Sequence, residues 1–204
     1  MRKSWMITIA MLSGMTVLPA FAEEANRKVK QAQDCKVDVY VETVLAMPKG
    51  ILLDARLQAT QMFREIGVKV HMREGIPARD PRNVCGPPIV VKLETTTRYP
   101  VPPDALAYAQ PYNVSGTCIH VFLDRVLLGR KQPLVSALLA HVMAHEITHV
   151  LEQIVRHSNG GVMKTHWSSD DYQRMERNPL PFASEDVDLI RWGLARRITL
   201  AAAE

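Results

Sequence analysis

The sequence predicts an α+β domain, and three observations carry that prediction. Five short segments between residues 36 and 123 are β-branched or alternate apolar with polar residues, the two-residue period of strands. A helix-spaced stretch separates the first two, and the other helical stretches all follow the fifth. Across the 204 residues there is no internal repeat, low-complexity tract or sign of a second domain.

The elements can be justified in order. Lys36 to Leu45 carries Val37, Val39, Val41, Thr43 and Val44 and reads as a strand, broken by Pro48-Lys49-Gly50. Ile51 to Ile66 has helical spacing, with Ala55, Ala59, Met62 and Phe63 among the residues on its apolar side. Gly67 caps that helix, and Val68 to Met72 is a second strand. Arg73 to Pro88 is polar and proline-rich, hence a loop, and Ile89 to Thr97 is a third strand. Tyr99-Pro100-Val101-Pro102-Pro103 breaks the chain again. Leu106 to Tyr108 makes a short fourth strand ended by Gln110-Pro111, and Thr117 to Leu123 a fifth. The next element is a long helix from about Pro133 to Val155, with proline suited to its first turn and Leu138, Val142, Ile147, Val150, Leu151 and Ile154 apolar. Two further helices follow, Ser168 to Arg177 and Ser184 to Ala202. In the second, Ser184 suits the N-cap, Glu185 and Asp186 the first turn, and Val187, Ile190, Leu194 and Ile198 form one core stripe.

The long helix contains His145-Glu146-Ile147-Thr148-His149. Residues four apart leave the same face of a helix, so both imidazoles can grip one tetrahedral Zn²⁺. Glu146 lies beside such a metal, where a carboxylate can act as a general base. His141, one turn earlier, reads as packing or support, because three ligands on one straight helix fit a tetrahedron poorly. For the third ligand the residues leave two readings open. One is His157, eight residues past His149; the other is a carboxylate among Asp170, Asp171 and Glu176, in a helix whose Ser-Ser-Asp-Asp start capping and dipole effects also explain.

His157-Ser158-Asn159-Gly160-Gly161-Val162-Met163 completes a run that resembles the active site of the metzincin metallopeptidases. That resemblance implies His145, His149 and His157 as zinc ligands, Glu146 as the base and Met163 as a hydrophobic floor in a methionine turn. The family pattern has glycine three residues after the second histidine and histidine three beyond; here Glu152 and Val155 stand in those places. The candidate ligand comes two residues late, which predicts a longer helix and a different turn. The order of elements also resembles the metzincin plan. It implies a twisted mixed sheet of about five strands with a backing helix and an active-site helix, then a small C-terminal helical subdomain. In that plan the short strand around Leu106–Tyr108 edges the cleft and pairs with extended substrate, and His166-Trp167 lines the cleft or packs against it.

The N-terminus reads as a secretory signal over residues 1–22. Arg2 and Lys3 precede the apolar stretch from Trp5 to Leu18, and Ala20-Phe21-Ala22 is a small-x-small cleavage site. The apolar run is short of the ~20 residues that span a bilayer, so no stable membrane anchor is expected after cleavage. Residues 23–204 then form a single domain that is secreted or periplasmic. Cleavage takes two of the 25 basic residues and leaves 23 against 21 acidic ones, with no basic patch interleaved with aromatics. Nucleic acid is not an expected partner. Three cysteines, Cys35, Cys85 and Cys118, leave at least one outside any internal disulfide, and Cys85–Cys118 is the slightly favoured pair. The expected activity is zinc-dependent endopeptidase action on peptide or protein. The alternatives are a non-catalytic zinc-binding protein on the same scaffold and a zinc amidase acting on cell-wall peptide.

Overall fold

The computed structural model describes residues 35–43, 45–77, 85–95, 101–110 and 117–201. The predicted signal segment lies outside the described residues, as do Val44, Thr97, Pro111, Ala202 and parts of both predicted loops. The strands are β1 (Lys36–Thr43), β2 (Lys69–Glu74), β3 (Ile89–Glu94), β4 (Ala107–Gln110) and β5 (Thr117–Phe122). The helices are α1 (Lys49–Glu65), α2 (Leu123–Leu127), α3 (Gln132–Glu152), α4 (Ser169–Met175) and α5 (Ser184–Ala201).

The strands form one mixed sheet in the order β2-β1-β3-β5-β4. β1 pairs in parallel with β2 and β3, β3 in parallel with β5, and the edge strand β4 runs antiparallel to β5. α1 supplies the crossover that parallel strands β1 and β2 require. Alternate residues Val37, Val39 and Val41 of β1, Val91 of β3 and Ile119 of β5 face the core at 0–1% exposure, as the strand period demands. α1 and α3 pack against each other, with Phe63, Leu138 and Ile147 wholly buried in the same core. This is the expected α+β class, with a five-stranded mixed sheet, a backing helix and C-terminal helices.

Several details differ from the sequence reading. β5 does not lead straight to the long helix: α2 and a turn at Gly129 (φ 65°) intervene. The long helix ends at Glu152 rather than Val155, with Gln153 in the left-handed region at φ 56°. Val155, which suggested continuation, is 78% exposed and belongs to no core stripe. Ser168 caps α4 from outside it, accepting from the Asp171 N–H while the Asp171 carboxylate takes the Ser168 N–H, a complete capping box. At α5 the cap is Ala183 rather than Ser184: the Ala183 carbonyl accepts from Val187, and its N–H donates to Asp186.

The favoured Cys85–Cys118 pair is not formed. Cys35 is bonded to Cys85, with Cα atoms 5.4 Å apart, and Cys118 is a free thiol whose pKa burial raises. Strand register explains this. Val39 lies opposite Ile89, so four residues back Cys35 comes opposite Cys85. Cys118 lies opposite Val90, about 16 Å along the sheet from Cys85 at ~3.3 Å per residue.

Every residue of α3 from Val135 to Glu152 is buried. α3 is long and apolar enough to cross a membrane, yet 94% of that apolar window is buried inside the domain, which makes it the core helix. α5 crosses it at Gly193, where a Cβ would overlap the Leu151 carbonyl. At the far end of α5, Arg197 is buried and donates to the Cys85 and Pro87 carbonyls, tying the last helix to the start of β3.

Candidate active site

Helix geometry places His145 and His149 one turn apart on α3, and their Nε2 atoms face each other at 3.1 Å. Two nitrogens bound to one tetrahedral zinc at ~2.0–2.1 Å would stand about 3.3 Å apart, so this separation suits a shared metal. The His157 ring completes the group, 5.2 Å from His145 and 5.0 Å from His149 between ring centroids. One ligand atom from each of the three lies within 4.8 Å of the others. Among the described residues this is the one group of histidine, cysteine and carboxylate side chains arranged to hold a metal.

The imidazoles are kept neutral, the form that binds metal. Burial pulls His145 down to about 4, against the opposing pull of its Nδ1–H bond to the Val162 carbonyl at 2.9 Å. Burial also lowers His149 to about 3, helped by the charges of His145 and His157. His157 is exposed but still lowered, first by partial burial and then by His166 and Arg156. The Val162 bond leaves Nε2 of His145 as the free acceptor, the tautomer a metal requires.

Glu146 is buried beside this group. Burial raises its carboxyl to about 8, while a hydrogen bond from the Ala109 backbone favours the charged form. Ala109 lies on β4, so the edge strand touches the carboxylate directly. The cleft has a volume of about 660 Å³. β4 lines it together with the three histidines, Glu146, His166, Trp167 and Tyr172. Trp167 packs edge-on against His145 with centroids 5.8 Å apart and donates Nε1–H to the Gly161 carbonyl. It therefore both lines the cleft and packs beneath it.

The other candidates are elsewhere. His141 is fully buried; its Nδ1–H donates to Ala137 at 2.6 Å and its Nε2 accepts from the Leu180 N–H at 2.9 Å. With both nitrogens engaged it braces α3 against the loop before α5. Asp171 is committed to its cap and to Lys164, and Asp170 and Glu176 are exposed; none joins the histidine group. Met163 is fully buried in the turn, and its carbonyl accepts from the Ser158 N–H. Gly161 adopts φ 71°, and a Cβ there would overlap the Pro181 carbonyl, so this turn demands glycine.

Four contributors were not visible in the sequence: the Val162 carbonyl, the Ala109 N–H, and Arg125 and Arg130 in the cleft lining. The first two are backbone groups and leave no residue signature. Each arginine is anchored through Nη1 to backbone carbonyls, Arg125 on Pro102 and Ala105, Arg130 on Arg125 and Val126.

No protein-family model matches the chain, and none of the curated proteins does. Among solved structures, the fold is similar to the crystal structure of archaemetzincin from Methanopyrus kandleri, with a TM-score of 0.51 and 16% sequence identity. The match covers 78% of this chain and 96% of the other. The chain thus shares its fold with archaemetzincin and carries a histidine group able to bind a metal.

Proposed function

We propose that this protein is a zinc-dependent endopeptidase that acts outside the cytoplasm, with residues 1–22 as a removed leader and 23–204 as its single domain. The observation that carries the reading is the convergence of His145, His149 and His157 beside the buried carboxyl of Glu146, in a cleft lined by β4. The fold neighbour is a metzincin by name, which agrees with the motif resemblance in His145 to Met163.

His145, His149 and His157 would hold the ion, leaving its fourth position open to the cleft. Zinc in such a site supplies Lewis acidity, acidifying water and polarising a carbonyl. Glu146, buried beside these histidines, would take the proton of the attacking water and return it to the leaving amine. β4 lies at the sheet edge, where an extended peptide can add as a further antiparallel strand. Trp167 and Tyr172 offer apolar surface in the cleft to substrate side chains.

The test is metal content together with cleavage of a mixed peptide library by the purified protein. Stoichiometric zinc and chelator-sensitive cleavage are expected. Zinc without cleavage of any peptide would move the reading to a binding protein, and cleavage confined to cell-wall crosslink peptides would move it to an amidase.

A further inference from the structure

His157 is the least supported of the three histidines. His145 and His149 are set by α3, and His145 is also fixed by the Val162 carbonyl. His157 is exposed on a segment, residues 153–168, without helix or strand, and makes no hydrogen bond of its own among the described residues. Its neighbours on both sides are held instead. Arg156 donates Nη1–H to Asp186 Oδ1 at 2.7 Å, and Ser158 donates Oγ–H to the same oxygen at 2.5 Å. Arg156 Nη2 also bonds Ser158 Oγ at 3.1 Å and Glu185 at 2.8 Å, closing the loop on itself. The Ser158 N–H is taken by Met163 at 2.7 Å.

Asp186 has no exposed surface and stands in the first turn of α5, the element packed behind α3. Its two oxygens divide the work: Oδ2 accepts from Ala183 and starts the helix, while Oδ1 serves only the residues flanking His157. A helix-start role needs one oxygen and no contact with the loop. Burying this carboxylate is tolerable because Arg156 neutralises it, and that ion pair sits one residue from the imidazole.

We infer that Asp186 is the positioning residue for His157, holding the third imidazole against the other two by gripping the residues on either side of it. The inference rests on the metal-site reading above. It gives the chain a substitute for the usual spacing of its motif, because a long-range carboxylate holds a ligand that arrives two residues late.

The experiment is a zinc titration against a chromogenic chelator, using wild type, Ser158→Ala and Asp186→Asn, each also in a His157→Ala background. Loss of such supporting contacts weakens metal binding roughly 10–100-fold, and that loss is expected in both variants. Once His157 is gone, neither substitution should weaken zinc further, because both act through that ring. A general loosening of the fold would cost affinity in either background. Unchanged affinity in the single variants, or an equal loss without His157, overturns the inference. Should Asp186→Asn not fold, Ser158→Ala carries the test alone, since it removes one arm and leaves the Asp186–Arg156 pair. A wild type that takes up no zinc would refute the metal site, and the clamp is then read by NMR from the mobility of the His157 ring in metal-free protein. A ring that becomes mobile in Ser158→Ala supports the clamp, and an unchanged ring refutes it.

Discussion

The two halves of the histidine group are built by opposite means. His145, Glu146 and His149 ride a helix buried from Val135 onward, and their mutual geometry follows from 3.6 residues per turn. His157 rides an exposed, irregular segment, and its place depends on Asp186, 29 positions away in the sequence. Local geometry delivers two imidazoles and a carboxylate, whereas the third imidazole is delivered by tertiary contacts. The first half should therefore tolerate changes in the loop, and the second should be sensitive to changes far from the metal.

Chemistry separates the halves most sharply. Glu146→Gln keeps the shape of the helix-borne half and removes only the proposed base. It should lower kcat by about 10²–10⁴-fold with zinc content and unfolding temperature unchanged, which steady-state kinetics and metal analysis would measure together. Activity close to wild type in a zinc-loaded variant would break the assignment of Glu146.

Next in size are substitutions that force the supports apart. Gly193→Ala drives a methyl into the Leu151 carbonyl, where α5 crosses the end of α3. Overpacking against rigid backbone should cost about 3 kcal/mol, seen as a fall of roughly 6–12 °C in thermal unfolding for a chain of this size. A stability equal to wild type would mean that the two helices do not approach this closely.

His141 tests the helix-borne half through pH. Its folded pKa is lowered to about 4 by burial, against an ordinary value of 6.5. The unfolded chain thus binds the proton first as pH falls, and stability should drop by about 3 kcal/mol between pH 6.5 and 4. Urea unfolding of metal-free protein at pH 7, 5 and 4 would show a steeper decline for wild type than for His141→Gln. Parallel declines would assign the acid sensitivity elsewhere.

The smallest effect lies where the two halves join. Glu152 is fully buried, and its carboxyl is raised to about 7, chiefly by burial and then by Asp186, with Arg156 opposing. Arg156 Nη1 is 3.9 Å away, too far for a hydrogen bond. The folded state holds this proton more tightly than the unfolded one, so stability is lost as pH rises from about 4.5 to 7. Glu152→Gln should therefore gain about 1–2 kcal/mol at pH 8 and nothing at pH 4.5, measured by thermal unfolding at both. Destabilisation at pH 8 would show that Arg156 needs Glu152 as an ionised partner.

The same contrast explains what could be read in advance. The strands, α1 and the histidine pair on α3 rest on periods of two and 3.6 residues, which neighbouring residues write directly into the sequence. α2 is not legible in the sequence because Leu123 to Leu127 is a single turn, too short to show a period. The end of α3 is hidden in the sequence because Ile154 and Val155 continue the apolar pattern while Gln153 has already turned the chain. The cysteine pairing depended on strand register between β1 and β3, and the hold on His157 on two side chains meeting a third from another element. The sequence shows Asp186 only by its favourable place in a first helical turn, one of its two tasks.

The most direct test of the three-histidine site is zinc content measured in parallel for wild type, His157→Ala, Asp171→Ala and Glu176→Ala, all purified from the same zinc-containing buffer. One zinc per chain is expected in wild type and in both carboxylate variants, with a sharply reduced content in His157→Ala. Zinc retained by His157→Ala but lost from a carboxylate variant would contradict the account and place the third ligand in or just after α4.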